Sequence, residues 1–306
     1  MELDNTKSSC FRSCKRKYYW QHIRGLQSDY GSSAIRYGVA WHGMMEGYYR
    51  YIAENGWGNK ELAISAALEN GRKSWDAETE KKNFIPDYRT FDACCKAFVH
   101  YLSFFAKDEE FIKILATETK FKCRMLPEDK QQETLLAAIE GGLFFTGRID
   151  LQIEMNHSNW ILDFKTTSQN ISTQAARLNR SGQLIGYSYA GKEALKFVTD
   201  GCLVSIAYVS AYKSKKTGEY GEVSTDFARI PQIYSEKDLL GWKELFITTA
   251  SDIQRAMDTN CFPMNFDSCY QYGPCSYTKL CEQNRPLEET VTEGFHVDYW
   301  DVMEEA

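Results

Sequence analysis

Residues 147–167 constrain the fold of this chain more than any other stretch. Gly147-Arg148-Ile149-Asp150-Leu151-Gln152-Ile153-Glu154 and Trp160-Ile161-Leu162-Asp163-Phe164-Lys165-Thr166-Thr167 are rich in β-branched and aromatic residues. Between them Asn156, His157, Ser158 and Asn159 supply a polar four-residue gap. The pattern predicts two antiparallel strands joined by a tight turn. Side chains alternate along a strand, so Trp160, Leu162 and Phe164 share one face while Ile161, Asp163 and Lys165 share the other. One face of the second arm is apolar; the other carries a carboxylate and an amine.

A carboxylate two residues before a lysine, with Asp150 on the neighbouring strand, suits metal-assisted hydrolysis of a phosphodiester. Asp150 and Asp163 would hold Mg²⁺ or Mn²⁺ through oxygen, with the Phe164 carbonyl as a further ligand. Such an ion acidifies water and offsets charge on the phosphate, and Lys165 would orient or deprotonate the water or stabilise that charge. The competing reading of an Asp-x-Lys sequence is a cross-strand ion pair on a half-solvated sheet.

Taken together, Gly147–Asp150 and Asp163-Phe164-Lys165-Thr166 resemble the two acidic motifs of the PD-(D/E)XK nuclease superfamily, in its RecB-like branch, which includes CRISPR-associated exonucleases and many phage proteins. Ile149 stands where the superfamily has proline. Gly182-Gln183-Leu184-Ile185-Gly186-Tyr187 resembles the branch's Gln-x-x-x-Tyr motif, and Gly38-Val39-Ala40-Trp41-His42 its Gly-x-x-x-His motif. The resemblance, running from about residue 7 to residue 285, implies an α/β fold: a restriction-endonuclease-like mixed, mainly antiparallel sheet flanked by helices, with a helical insertion. It implies that His42 is a metal ligand, that Gln183 and Tyr187 position substrate or water, and that Glu118 tunes the metal site. Taken from the residues alone, Glu118 would instead pair with Lys120 or Lys122. An imidazole ligand favours Mn²⁺ over Mg²⁺.

The chain has 306 residues and a net charge of −6, a balance that opposes indiscriminate nucleic-acid binding. The charge is unevenly spread. Lys7, Arg12, Lys15, Arg16, Lys17 and Arg24 share a stretch without acids, and Lys213, Lys215 and Lys216 form a second basic cluster. Glu288, Glu289, Glu293, Asp298, Asp301, Glu304 and Glu305 make the tail acidic. No apolar run approaches the ~18 residues of a membrane span and no signal sequence opens the chain, so a cytoplasmic location, in a bacterium or a phage-infected host, is expected.

Of ten cysteines, Cys269, Cys275 and Cys281 are evenly spaced near the C-terminus around a Gly273-Pro274 turn. Without a secretion signal, metal ligation or burial is expected rather than disulfides. The segment Ser9-Cys10-Phe11-Arg12-Ser13-Cys14, followed by Tyr18-Tyr19-Trp20, resembles the N-terminal pattern of RecB-like iron–sulfur nucleases. The match implies Cys14 as fourth ligand, with Cys10 one turn earlier as its rival, and a [4Fe–4S] cluster that joins the two ends of the chain. The first gap is longer than the family's, and four thiolates also suit zinc. Cys94, Cys95, Cys123, Cys202 and Cys261 read as small core residues.

In order along the chain, the spacing predicts a helix over 8–24 whose aromatics pack or stack on bases, and helical segments over 60–110 divided by Pro86. A first strand follows over 112–126, a helix over 172–195, a strand over 202–212 buried enough to be central, a basic turn over 213–218 and a helix over 236–259. Five segments are expected: 1–36 contributing to the cluster, 37–110 helical with the histidine, 111–260 the nuclease core, 261–285 the cysteines and 286–306 the acidic tail. The expected activity is that of a metal-dependent DNA exonuclease in recombination, repair or DNA processing, acting on single- or double-stranded ends. The chain has no helicase motif, so unwinding, recombination or spacer-acquisition functions would come from a partner protein. The alternatives are a non-catalytic DNA-binding or partner-recruiting module of the same fold, a structure-specific endonuclease and an RNase.

Overall fold

The computed structural model describes residues 1–306 apart from Tyr272, Asn284, Trp300, Asp301 and 304–306. Three acids of the acidic tail, Asp301, Glu304 and Glu305, therefore lie outside the described residues. Six strands make the main sheet: β1 (Glu2–Leu3), β2 (Ile112–Arg124), β3 (Phe144–Met155), β4 (Ser158–Thr167), β5 (Gly201–Lys213) and β6 (Tyr220–Gln232). β2, β3 and β4 run antiparallel in succession, β5 lies parallel to β4, and β6 returns antiparallel to β5. β1 adds to β3 in parallel at Phe144 and Phe145. The sheet is mixed and mainly antiparallel, as the sequence implies.

Helices cover both faces. They are α1 (Asn5–Ser13), α2 (Ser33–Asn55), α3 (Lys60–Lys81), α4 (Phe91–Phe104), α5 (Gly182–Glu193) and α6 (Glu236–Asp258). One face of the sheet, through Phe145, Ile149, Ile161, Val204 and Ile206, packs against α1, α5 and α6. The other, through Leu151, Leu162, Phe164 and Leu203, packs against α2 and α4. Each fully buried large side chain contributes about 1.5–3 kcal/mol, so the two cores fix the helices to the sheet from both sides. Tyr18, Tyr19 and Trp20 are buried in the first core and pack there rather than facing nucleic acid. Among the described residues no helix is long and apolar enough to cross a membrane.

Four expectations are corrected. The turn of the central hairpin is two residues long, not four: Met155 pairs with Ser158, and Asn156 and His157 take φ of 53° and 65°, the conformation that lets a two-residue turn follow strand twist. The helix expected over 8–24 breaks at Cys14, whose backbone is extended at φ −161° and ψ 116°. The helix expected over 172–195 is two, Ile171–Leu178 and α5, separated around Ser181, the N-cap of α5. Of the cysteines expected in the core, Cys261 is exposed and Cys95 is only partly covered.

The α2–α3 crossing depends on absent side chains. A Cβ on Gly47 would stand 2.7 Å from the Ala66 carbonyl oxygen and 3.0 Å from the Ala67 Cα, both backbone atoms that cannot rotate away. Gly47→Ala should therefore force the helices apart and destabilise the chain by about 1–3 kcal/mol, read as a lowered denaturation midpoint.

Candidate active site at the fork of the central hairpin

The hairpin pairs from Met155↔Ser158 up to Leu151↔Leu162 and then opens, although both strands continue. Asp150 and Asp163 occupy the next position on each strand, where the fork begins. Asp150 fills it: its Oδ2 accepts the Phe164 backbone N–H at 3.0 Å, replacing the strand partner that the amide has lost. Alternation breaks at the same residue. Ile149 and Leu151, two apart, belong to opposite cores. Across β2, Glu118 lies between the pairs Thr117↔Leu151 and Thr119↔Ile149 and takes φ 47°. A non-glycine residue held there costs about 1–3 kcal/mol, which the flanking ladder must offset.

The fork gathers several charged groups. Lys165 Nζ lies 2.7 Å from Asp163 Oδ2, and Asp163 is 1% exposed. α2 brings His42 over from the second layer, with Nδ1 at 3.4 Å from Asp150 Oδ2. Glu118 does not pair with Lys120 or Lys122; it takes Arg148 Nε at 2.9 Å. Lys122 pairs with Glu2, and Lys120 donates to the Met303 carbonyl. α5 places Gln183 and Tyr187 one turn apart, with Gln183 Nε2 donating to the Tyr187 hydroxyl at 2.9 Å. Tyr187 is buried and its ring meets Phe121 edge-on.

Electrostatics divides these groups into opposed sets. Burial raises the Asp163 carboxyl, partly countered by Lys165. Burial would raise Asp150 too, but His42, Lys165 and the Phe164 N–H hold it below the usual carboxylate range. For His42 and Lys165 burial favours the neutral form, yet the carboxylates prevail and both are raised. Tyr187 is held neutral by burial and by the charges of Asp163 and Asp150. Glu118 is pushed up to about 8, by burial first and then by Asp150, against the pull of Arg148.

That last shift has a measurable consequence. Because its folded pKa exceeds the 4.5 of a free glutamate, Glu118 stabilises the metal-free chain below about pH 4.5 relative to its ionised state, and this contribution is lost as pH rises through about 8. Glu118→Gln should flatten the fall in stability over that window when denaturation is followed in chelator.

Glu46 lies one turn along α2 from His42. Here Glu46 is ion-paired with Arg50 and its charge adds to the rise at Glu118. Arg148 was part of the first motif but unremarked as the partner of Glu118. Its neighbourhood with Asp150 was the available signal, and the broken alternation that lets it act was not.

Two carboxylates, an imidazole and a backbone carbonyl at one fork are donors of the kind that hold Mg²⁺ or Mn²⁺. As they stand, Asp150 faces His42 and Asp163 faces Lys165, and among the described residues no three His, Cys, Asp or Glu side chains stand in a metal-holding group. Among the described residues the four cysteines likewise stand in no metal-holding group, though they share a lining. Cys14, Cys269, Cys275 and Cys281 line one cavity of about 620 Å³ that brings together the two ends of the chain. Cys10 is absent from that lining; it is buried, and burial pushes its thiol up to about 12.

The sequence profile of the PD-(D/E)XK nuclease superfamily matches residues 5–282. The chain belongs to this superfamily. Its members are generally nucleases that use Mg²⁺ or Mn²⁺, so the chain is read as a nuclease acting on nucleic acid. No curated protein matches it. Among solved structures it is similar to the crystal structure of SSO0001, at 13% identity over 88% of this chain and 92% of that one, with a TM-score of 0.31.

Proposed function

We propose that this PD-(D/E)XK chain is a metal-dependent deoxyribonuclease that digests linear DNA from its ends, in recombination, repair or DNA processing. The observation that carries the reading is the fork itself, where Asp150, Asp163, Lys165 and His42 meet across two strands and a helix. Asp150, Asp163, His42 and the Phe164 carbonyl would hold the ion, with Glu118 beside them. A divalent ion bound there would polarise the phosphate and make water a stronger nucleophile.

The chain's own groups supply the rest. In the metal-free chain the two aspartates outweigh the burial of Lys165 and raise its pKa, and its ammonium would stabilise negative charge growing on the attacked phosphate. Asp163, fixed on the floor of the fork, orients that ammonium. The Gln183–Tyr187 pair presents an amide and a neutral hydroxyl, both able to direct water or a phosphate oxygen. Such a site acts on backbone, which carries little sequence information.

The testing experiment incubates the full chain and Mn²⁺ with end-labelled linear single- and double-stranded DNA, circular DNA and RNA. Mononucleotides or short fragments from linear DNA, with circles intact, support the reading. Cleaved circles would indicate an endonuclease, degraded RNA alone a ribonuclease, and binding without products a non-catalytic module.

We further propose that the four thiols facing the common cavity hold a [4Fe–4S] cluster, with zinc as the alternative. The support is that residues from both parts of the chain line one cavity, and that the break at Cys14 turns this residue out of its helix. An anaerobic preparation should be brown and absorb near ~400 nm, and Cys275→Ser should bleach it. A colourless preparation containing zinc would favour the alternative, and one without either metal would refute both.

A further inference from the structure

Beyond the fork, β4 continues through Thr166 and Thr167 into a separate cavity of about 280 Å³. Its polar lining includes Arg89, Thr166, Thr167, Ser168, Gln174 and Arg177, and among the described residues no carboxylate lines it. The volume lies below the ~300–1,000 Å³ of pockets that enclose drug-sized molecules, so it suits a small charged group with little more than a sugar attached. Two arginines, three hydroxyl residues and a glutamine in one lining form a donor-rich set for an anion, and the guanidinium fork matches phosphate oxygens in particular.

Neither arginine is fully engaged. Arg89 places Nη1 at 2.6 Å from Asp87 Oδ2, and that carboxylate also accepts the Ser33 hydroxyl at 2.6 Å. Arg177 donates through Nη1 to Gln169 Oε1 at 2.5 Å. Each guanidinium has five N–H groups, so both keep donors for a ligand.

The cavity shares its elements with the fork. Lys165 precedes Thr166 on β4, and α2 contributes Ala34 and Tyr37 to the cavity before presenting His42 to Asp150. From Tyr37 to His42 the helix rises about 7.5 Å. A nucleic-acid strand advances about 3.4 Å per nucleotide along a duplex axis, so the cavity lies within a few nucleotides of the cleaved bond.

We propose that this cavity binds the terminal phosphomonoester of the substrate strand and gives the nuclease a preference for phosphorylated ends. The inference rests on the nuclease reading for its role in cleavage, though not for the binding itself. A terminal phosphate carries a charge of about −2 against about −1 for an internal diester, a difference that Arg177 would select, with Arg89 adding donors while Asp87 offsets its charge. Holding the end there would also set how far from it the first bond is cut.

The test uses one labelled oligonucleotide in three forms: with a 5′-phosphate, with a 3′-phosphate and with hydroxyls at both ends. Binding to the full chain is measured by anisotropy in chelator, and cleavage with Mn²⁺ in parallel, for wild type, Arg177→Gln and Arg89→Gln. Wild type should bind one phosphorylated form on the order of tenfold more tightly than the hydroxyl form. Which form it is assigns the end. Arg177→Gln should reduce that preference to about twofold or less while leaving affinity for the hydroxyl form nearly unchanged. Arg177 is exposed, so this variant keeps the test intact should Arg89→Gln disturb the Asp87 pair and misfold. Equal affinity of wild type for all three forms, or a preference that survives in Arg177→Gln, overturns the inference. Selective binding with no cleavage of any form would count against the nuclease reading and leave this inference standing.

Discussion

Asp163→Ala and Lys165→Ala are each expected to lower the rate of DNA cleavage by about 10²–10⁴-fold while the chain remains folded. The reasoning is local. Asp163 is buried against an ammonium that is held charged by two carboxylates, so removing either partner dissolves the arrangement presented to the phosphate. Folding should persist because Asp163 is raised by burial, meaning that the sheet gains little from its charge, and because Lys165 retains Asp150 nearby. Circular dichroism spectra matching wild type, together with loss of product from end-labelled DNA, is the expected result. Wild-type cleavage by either variant would remove these residues from the chemistry.

The second large effect lies away from the fork, in the attachment of the helical layer. Arg229 on β6 donates to both oxygens of Asp108 at 2.7 and 2.6 Å, and to the Tyr101 hydroxyl at 2.8 Å. Tyr101 continues to Ser205 on β5 at 3.0 Å, and the guanidinium lies over the Phe105 ring at 3.9 Å. Both charged side chains are nearly excluded from water, at 10% and 14% exposure. Asp108→Ala should destabilise the chain by about 3–5 kcal/mol, because it strands a buried cation. Replacing both residues with apolar ones of similar volume should cost much less than the single change, and a denaturant series on wild type and the two variants separates these outcomes. Tyr49 joins this network to the fork, since its hydroxyl approaches Asp108 and its ring stacks on Phe164 at 5.7 Å. Partial loss of activity is therefore expected to accompany loss of stability in Asp108→Ala.

Much of the sheet was legible because β-branched runs with polar gaps allow few alternatives. The hairpin, the first strand and the buried strand β5 all follow from period-two patterning and apolar density. β6 was not anticipated: it runs along one edge of the sheet, Phe227 and Gln232 are its only buried residues, and Pro231 interrupts its donors, so its sequence resembles a loop. The helix break at Cys14 was hidden as well, since Lys15, Arg16 and Lys17 are good helix formers and only the packing against 262–265 turns the chain there. The distribution of site residues was readable from motifs on separate elements. Their mutual geometry was not, because it depends on the fork opening after Leu151↔Leu162 and on the reversal of side-chain facing at Asp150. Glu118 shows the same limit. Strand patterning suggests a pairing with Lys120 or Lys122 two or four residues on, whereas the left-handed backbone at Glu118 directs its carboxylate to Arg148.

The account turns on whether the fork binds a divalent ion and uses it to cut phosphodiesters. A titration of Mn²⁺ into chelator-treated wild-type protein, with cleavage of linear DNA followed at each step, tests this most directly. The expected result is no product before the ion is added, then a saturable rise in rate that chelator reverses, and in Asp150→Ala no such rise. Cleavage independent of the ion, or an unchanged titration curve in Asp150→Ala, would contradict it.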